Sequence, residues 1–423
     1  MTKRYSLRLY LAGAVAARAG DEMSGTALML AAFALTGSAL EASSLLAGVT
    51  ISAAVGGPVL GALLDRARRP GRLLSITLVL YAAGLGLILV SLGPLPFGVT
   101  LSIAVVAGLL GPSLSGGWTA QLPRVVREDR LPRANALDAM TFGVAGLAGP
   151  ALAGGVAETL GAPAAVVVSA ALIGSALPAA WMLPARPGRV RGVRPTSVAG
   201  DLAAGLRVLV NRPSLARATL TSVLSCAGQG VFMACVPLLG ERVLGGAGRG
   251  ALLLSCTAVS ALLATAVLAR FPRLIAPDTV IWAGALVQAA ASALAVWASW
   301  PSWAGGAASG WAGWAGWGQP TILVVAVLIA GVGEGPQLAA LFAIRHREAP
   351  ERLRAQIFTT GASLKITGFA LGAAVAGPIA SWSLRGALVS AAGVAVVAAL
   401  SFFAVPSAVA AADSSEERAM AGW

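Results

Sequence analysis

Residues 43–92 read "SSLLAGVTISAAVGGPVLGALLDRARRPGRLLSITLVLYAAGLGLILVSL". Two apolar runs, 43–64 and 73–92, flank the octet "DRARRPGR" at 65–72. A helix of about 20 apolar residues is long enough to cross the roughly 30 Å hydrocarbon core of a bilayer. The octet carries Arg66, Arg68, Arg69 and Arg72. Each would cost roughly 2.5–3.5 kcal/mol at the centre of a membrane, so this turn belongs at a membrane surface. The stretch therefore predicts two spanning helices joined by a basic connection.

The same pattern continues in both directions. Twelve apolar segments fall at about 9–35, 43–64, 73–92, 97–118, 135–157, 163–183, 215–239, 250–269, 279–299, 320–342, 355–381 and 386–406. The composition agrees: 57% of the 423 residues are hydrophobic and only 11% charged, with a mean hydropathy of +0.82. A soluble domain has about 25% charged residues, so an ordinary cytosolic protein is excluded. The chain's 52 glycines and 23 prolines also suit membrane helices, where small residues let backbones approach and neighbours satisfy freed carbonyls. The first segment follows Lys3, Arg4 and Arg8 as a signal peptide would, but it continues past Asp21 and Glu22 to Leu35, too long for a cleaved leader.

The net charge of +13 has a topological meaning rather than a nucleic-acid one. With the N-terminus in the cytoplasm and spans alternating, 25 of the 30 basic residues fall on the cytoplasmic side. Only Arg242, Arg249 and Arg385 fall outside, while Arg18 and Lys365 lie within spans. This asymmetry follows the positive-inside rule and places both termini in the cytoplasm of a multi-pass cell-membrane protein.

The longest basic connection, 184–214, separates an N-terminal bundle of six spans (1–183) from a C-terminal one (215–406), leaving a polar cytoplasmic tail at 407–423. Within the connection, "DLAAGLRVLVNRP" has the spacing of an amphipathic helix lying on the membrane surface. The halves echo each other. Ala19-Gly20-Asp21 matches Ala227-Gly228-Gln229, and Arg133-Ala134-Asn135 matches Arg354-Ala355-Gln356. Spans 5 and 11 both contain Gly-Pro, at Gly149-Pro150 and Gly377-Pro378. Such duplication is typical of transporters.

The connection "GALLDRARRPGR" and the 6+6 layout resemble the major facilitator superfamily, specifically its bacterial drug-efflux branch. Gly61, Asp65, Arg66, Gly71 and Arg72 match the family's motif, with one extra residue before Gly71. The run "GVAGLAGPALAGG" in span 5, with Gly149 and Pro150, resembles the antiporter signature, although its last glycine pair is displaced by one residue. The resemblance implies an all-α fold of twelve transmembrane helices in two pseudo-symmetric bundles. It also implies a gate in which Asp65 and Arg72 latch the halves together. Span 4, "LSIAVVAGLLGPSLSGGWTAQ", lacks the arginine that many proton-coupled exporters carry there.

Charges inside spans need a reason. Arg18 stands three and four residues before Asp21 and Glu22, so it can reach both on one helix face. Glu334 in span 10 and Lys365 in span 11 lie at matching depth and form a second expected pair. Two cations then face three carboxylates, and a desolvated acid without a partner can carry a proton. Asp21 is the first candidate for proton coupling, followed by Glu22 and Glu334. The alternative is that these are structural pairs fixing helix rotation. Asp138, near the start of span 5, reads as a packing partner for the arginine-rich loops, and solvation explains Glu158.

Spans 1, 4, 7 and 10 face the substrate path in the resembled family. Their polar and large residues include Ser113, Trp118, Gln229, Phe232, Met233 and Gln337. So few hydrogen-bonding groups suit an amphipathic or lipophilic molecule better than a sugar.

Cys226, Cys235 and Cys256 have no zinc spacing, and the single histidine, His346, excludes His-based triads. No Walker A sequence is present. The expectation is therefore not an enzyme but a secondary transporter, with no metal and no cofactor beyond the proton gradient. Its partners are a small-molecule substrate, protons and the lipid bilayer; no nucleic acid is involved, and the chain is expected to be a monomer. A lipid or lysolipid transporter and a non-transporting sensor are the alternatives. Six tryptophans, Trp297, Trp300, Trp303, Trp311, Trp314 and Trp317, crowd the outer connection at 297–318 and read as an interfacial anchor.

Overall fold

The structure is a computed structural model. It describes residues 5–185, 197–244, 247–272, 274–299 and 312–405. Among the described residues the regular structure is entirely helical. The α-helices are α1 (Leu7–Thr36), α2 (Ala39–Arg66), α3 (Pro70–Ser91), α4 (Phe97–Gly108), α5 (Leu131–Leu160), α6 (Ala162–Ser175) and α7 (Leu177–Trp181). They continue with α8 (Val198–Asn211), α9 (Pro213–Leu244), α10 (Ala247–Arg270), α11 (Pro277–Ala298), α12 (Ala312–Glu348), α13 (Arg354–Trp382) and α14 (Leu384–Ala404).

Each of the twelve apolar segments becomes a helix, or a helix with a short extension. The fourth continues from α4 into a π-turn at Ser113–Gly117, and the sixth is divided into α6 and α7 just before Pro178. Eleven helical segments are long and apolar enough to cross a membrane by length and composition. The 30-residue α1 is also long enough, but Arg18, Asp21 and Glu22 interrupt its apolar surface. Of the tryptophan-rich connection, residues 300–311 lie outside the described residues, as does the tail after Val405.

Helix starts follow local chemistry. The hydroxyls of Ser6, Ser38 and Ser383 accept backbone N–H groups of Leu9, Glu41 and Gly386 at 3.0–3.2 Å. Proline occupies the first turn of α3, α5, α6, α7 and α11, where its missing N–H costs nothing. Gly37 closes α1 in the left-handed region at φ 68°.

The chain divides into two compact units. The first comprises Met1–Leu206 and Ala349–Thr367; the second comprises Arg207–Glu348 and Gly368–Trp423. The sequence-based boundaries at 183 and 215 therefore do not coincide with these units: the first also takes in most of α8 and the first half of α13. Within the first unit, α1 packs on α5 and α6, α2 on α4, and α3 on both α4 and α6. Within the second, α9 packs on α14 and α10, α11 on α12 and α14, and α10 on α12.

The repeat noted in the sequence has a structural counterpart. A Cβ at Gly20 would strike Ile173 and the Ser169 carbonyl of α6 at 2.6–2.8 Å, and one at Gly228 would meet the Ala391 carbonyl of α14 at 3.1 Å. The first helix of each unit thus uses the same glycine to approach the last.

Candidate functional site

The middle of α1 carries Arg18, Asp21 and Glu22, and its wiring differs from the expected one. Arg18 does not pair with Asp21 or Glu22. Its guanidinium reaches α5 instead, where Nη1 lies 3.0 Å from Asp138 Oδ1 and donates to the Asp138 carbonyl at 3.0 Å. Nη1 also donates to the Thr141 hydroxyl, and Nη2 donates to Thr119 Oγ1 at 2.8 Å. Thr119 in turn donates to Asp138 Oδ2 at 2.8 Å, and the Phe142 ring lies 3.7 Å from the guanidinium carbon. Both charges are fully buried.

Packing explains this correction. α5 lies directly along α1, and a buried guanidinium is stable only when a counter-charge and further acceptors surround it. Asp138 offers a carboxylate and a carbonyl at one point, with Thr119 and Thr141 beside them. Asp138 is therefore a partner of Arg18 in the interior, not of the arginine-rich loops.

Asp21 faces α3. The Tyr81 hydroxyl donates to Asp21 Oδ1 at 2.8 Å and lies 3.1 Å from Ser24 Oγ, while Ser24 donates to the Asp21 carbonyl at 2.6 Å. Asp21 is half-buried, and Glu22 is exposed at the surface of its unit. Glu22 emerges beside the glycine run of α5. A Cβ at Gly149 would lie 2.7 Å from Glu22 Cβ and 2.8 Å from the Met23 nitrogen, whereas Gly146, Gly154 and Gly155 have open space. Among the described residues, no cation lies within ion-pair distance of either carboxylate.

A second cluster surrounds the basic connection. Asp65, at the end of α2, accepts the backbone N–H of Ala355 at 3.1 Å and of Gln356 at 2.9 Å. These are the first-turn donors of α13, where a negative charge complements the helix dipole. Gly61 and Gly57, one and two turns earlier on α2, lie against Gln356, Thr359 and Ser363. Ser363 also donates to the Ala53 carbonyl at 2.6 Å. The expected partner of Asp65, Arg72, instead holds its guanidinium 5.4 Å from the centre of the Trp181 ring of α7. Gly71 lies close against the Ala180 carbonyl of the same helix. Arg66 pairs with Asp201 of α8 at 2.6 Å, and Gln356 donates to the Leu202 carbonyl at 3.0 Å, so α8 is fastened to the same cluster.

Four expected substrate contacts are packing residues in this conformation. Ser113 is buried, donates to the Leu110 carbonyl at 2.6 Å and lies 3.0 Å from the Thr77 hydroxyl. Trp118 is fully buried against Tyr10, with ring centres 6.0 Å apart. Phe232 belongs to the core of the second unit, and buried Gln337 donates to the Ile281 carbonyl at 2.9 Å. Gln229 and Met233 are half-buried on α9. Glu334 is half-buried on α12 in the second unit, and Lys365 is half-buried on the part of α13 that belongs to the first. Residues not foreseen as functional are Tyr81, Thr119, Thr141 and Asp201. Tyr81 was discoverable as the one tyrosine in the middle of the apolar run of α3.

A bundle of spanning helices with buried charge at mid-span and a fastened basic connection defines a membrane transporter fold. The Major Facilitator Superfamily profile matches residues 10–318, and the chain belongs to that family. It is 26% identical over 311 residues to an MFS-type transporter of Sinorhizobium fredii (strain NBRC 101917 / NGR234), described as the uncharacterized y4rN, covering 73% of this chain and 72% of that protein. Among solved structures, the outward-facing bacterial homologue of the iron transporter ferroportin superposes with a TM-score of 0.74 at 15% identity, covering 94% of this chain and 98% of that one. The proton:xylose symporter XylE superposes with a TM-score of 0.69 at 12% identity, covering 94% and 96%. At these identities the two structures share the fold alone.

Proposed function

We propose that this member of the family is a proton-coupled exporter of an amphipathic or lipophilic small molecule, working by alternating access with both termini in the cytoplasm. The observation that carries the reading is the pairing of Arg18 with Asp138. It leaves Asp21 and Glu22 side by side on α1 with no cation within ion-pair distance among the described residues. A carboxylate in a low-dielectric setting is stabilised either by a proton or by a positively charged guest, and competition between the two is the chemistry of exchange.

Tyr81 supplies the connection to α3. Its hydroxyl donates to ionised Asp21; when Asp21 takes a proton, that bond loses its charge and the hydroxyl turns to Ser24, which already lies within reach. Protonation thereby changes how α1 is held on α3.

Asp65 acts as a releasable latch. Its two bonds are to backbone donors at a helix start, so they hold while α2 and α13 remain in register and are lost together when they separate. The basic connections, concentrated on one side of the spans, support the cytoplasmic placement of both termini.

The test is flux in proteoliposomes containing the full chain. A pH gradient is expected to drive accumulation of a lipophilic fluorescent drug. Asp21→Asn is expected to lower gradient-driven flux by about tenfold or more, the loss that follows from about 1.4 kcal/mol of coupling free energy, while downhill exchange persists. If wild-type protein shows no response to the gradient, or the variant responds equally well, the proton-exchange reading is wrong.

A further inference from the structure

The fourth span carries the one π-turn among the described residues, at Ser113–Gly117. The N–H of Trp118 there reaches the Ser113 carbonyl, five residues back. A π-turn holds one residue more than an α-turn and is rare in helices, so its presence needs a reason. The local sequence permits it: in "GPSLSGG", at 111–117, Pro112 lacks a backbone N–H and three glycines weaken the α-helix. What the turn touches supplies the reason.

On one side it reaches the buried charge pair. Thr119 accepts from Arg18 Nη2 at 2.8 Å and donates to Asp138 Oδ2 at 2.8 Å, and the Trp118 carbonyl accepts the Tyr10 hydroxyl of α1 at 3.2 Å. On the other side it reaches the latch. A Cβ at Gly116 would lie 2.5 Å from the Phe358 carbonyl oxygen and 2.9 Å from Thr359 Cα, and one at Gly117 would lie 2.7 Å from Leu64, the residue before Asp65. Phe358 and Thr359 stand about one turn after Ala355 and Gln356, whose N–H groups Asp65 accepts. All of these residues belong to the first unit.

The arrangement leaves one donor unsatisfied. Trp118 is fully buried, yet its indole N–H has no hydrogen-bond partner among the described residues. A buried orphan of this kind favours any alternative that gives it an acceptor. An α-helix turns about 100° per residue, so taking the extra residue out of the π-turn would rotate the segment after it relative to the segment before it. Gly116 lies within the turn and Thr119 just after it, so neither contact survives that change. Two sites are coupled when both bias one element with two discrete arrangements, and this turn touches both.

We propose that this π-turn couples the Arg18–Asp138 pair to the Asp65 latch. In its π form it holds Thr119 on the pair and Gly116 against α13. In its α form it releases both, and the start of α13 comes away from Asp65. Loosening either end therefore loosens the other.

The first-turn amides of α13 have no acceptor within their own helix, so their protection from hydrogen exchange reads the Asp65 bonds directly. The experiment is hydrogen–deuterium exchange on the purified full chain in detergent, read by mass spectrometry on peptides covering 354–358. It uses neither substrate nor a proton gradient, so its outcome is independent of the proton-exchange reading. Thr119→Val keeps the shape of the side chain but removes its bonds to the pair. It is expected to speed exchange at Ala355 and Gln356 by about fivefold or more, the lower end of couplings between separated sites. Ser169→Ala removes a different buried bond of α1, the one Ser169 Oγ of α6 donates to the Gly20 carbonyl at 2.7 Å, and is expected to leave that exchange unchanged. Gly116→Ala opens the contact from the α13 side. In T119V/G116A the two effects should not multiply, because both act through one turn. Unchanged exchange in T119V, equal acceleration in S169A, or multiplied effects in the double variant overturns the proposal. Should T119V fail to fold, Tyr10→Phe takes its place by removing the bond from α1 to the Trp118 carbonyl: faster exchange supports the coupling, and exchange equal to wild type overturns it.

Discussion

α1 and α9 occupy equivalent places in their units but carry different chemistry. Each brings a glycine, Gly20 or Gly228, against the last span of its own unit. Each also makes a hydrogen bond to the third span. In the first unit Tyr81 of α3 donates to Asp21, and in the second Ser225 of α9 donates to Gln288 of α11 at 2.8 Å. The packing is repeated and the charge is not. Gln229 stands where the repeat places Asp21, Gly230 where it places Glu22, and Cys226 where it places Arg18. At the matching level α9 packs without charge, its Arg217–Asp278 pair lying two turns nearer the helix start, so packing alone does not account for the mid-helix charges of α1. Their position in one copy only directs attention to α1 as the functional member of the pair.

The sharpest way to break this comparison is to make α1 resemble α9. Arg18→Met leaves Asp138 buried without its counter-charge and is expected to cost about 3–5 kcal/mol, seen as a large fall in Tm in detergent. Removing both charges with R18M/D138L should restore much of that loss, because an apolar pair of similar volume avoids desolvation altogether. If the double variant is as unstable as R18M, the pair's value lies in its hydrogen bonds to Thr119 and Thr141 rather than in charge. Tyr81→Phe comes next. It removes a donor from a carboxylate, a bond worth about 1.5–3 kcal/mol, and its fall in Tm should vanish in an Asp21→Asn background.

The twelve spans and the repeat were legible because both follow from local properties: apolar run length, flanking arginines and glycine spacing. The wiring of the charges was not. Spacing along α1 brought Arg18 within reach of Asp21 and Glu22, but intrahelical reach is only permissive. The choice was made by α5, whose Asp138 lies more than a hundred residues away and brings Thr141 with it. The same applies to Asp65, whose partners are backbone donors and so leave no side-chain signature at 355–356. Ser113, Trp118, Phe232 and Gln337 were assigned to the substrate path by helix number, and the structure shows them buried against neighbouring groups of their own units. The rotation of a helix about its axis is set by neighbouring helices, which a single apolar stretch does not identify.

The glycine run of α5 offers a smaller, cleaner test. Only Gly149 among Gly146, Gly149, Gly154 and Gly155 meets another helix, at Glu22 and Met23. Gly149→Val should push α5 from α1 and cost about 1–3 kcal/mol, while Gly146→Val should be close to neutral. Comparing their thermal unfolding separates a contact glycine from those that merely share the pattern.

The smallest expected effect lies on the neutral side of the comparison. Ser225→Ala removes the bond to Gln288, whose side chain is buried between helices of the second unit. Hydrogen bonds between membrane helices average about 0.6 kcal/mol and reach roughly 1.7, because the separated helices find other partners. The variant should therefore shift Tm only slightly, and less than Tyr81→Phe does. The contrast depends on the acceptor. Gln288 keeps a neutral amide oxygen that a neighbouring donor can satisfy, whereas Asp21 keeps a charge that has no cation within ion-pair distance among the described residues. If Ser225→Ala proves as damaging as Tyr81→Phe, the two bonds are equivalent packing devices and the charge on α1 adds nothing to its hold on α3. A clear difference, removed when Asp21 is neutralised, would mean that the ionisation of one residue sets how firmly α1 is held on α3.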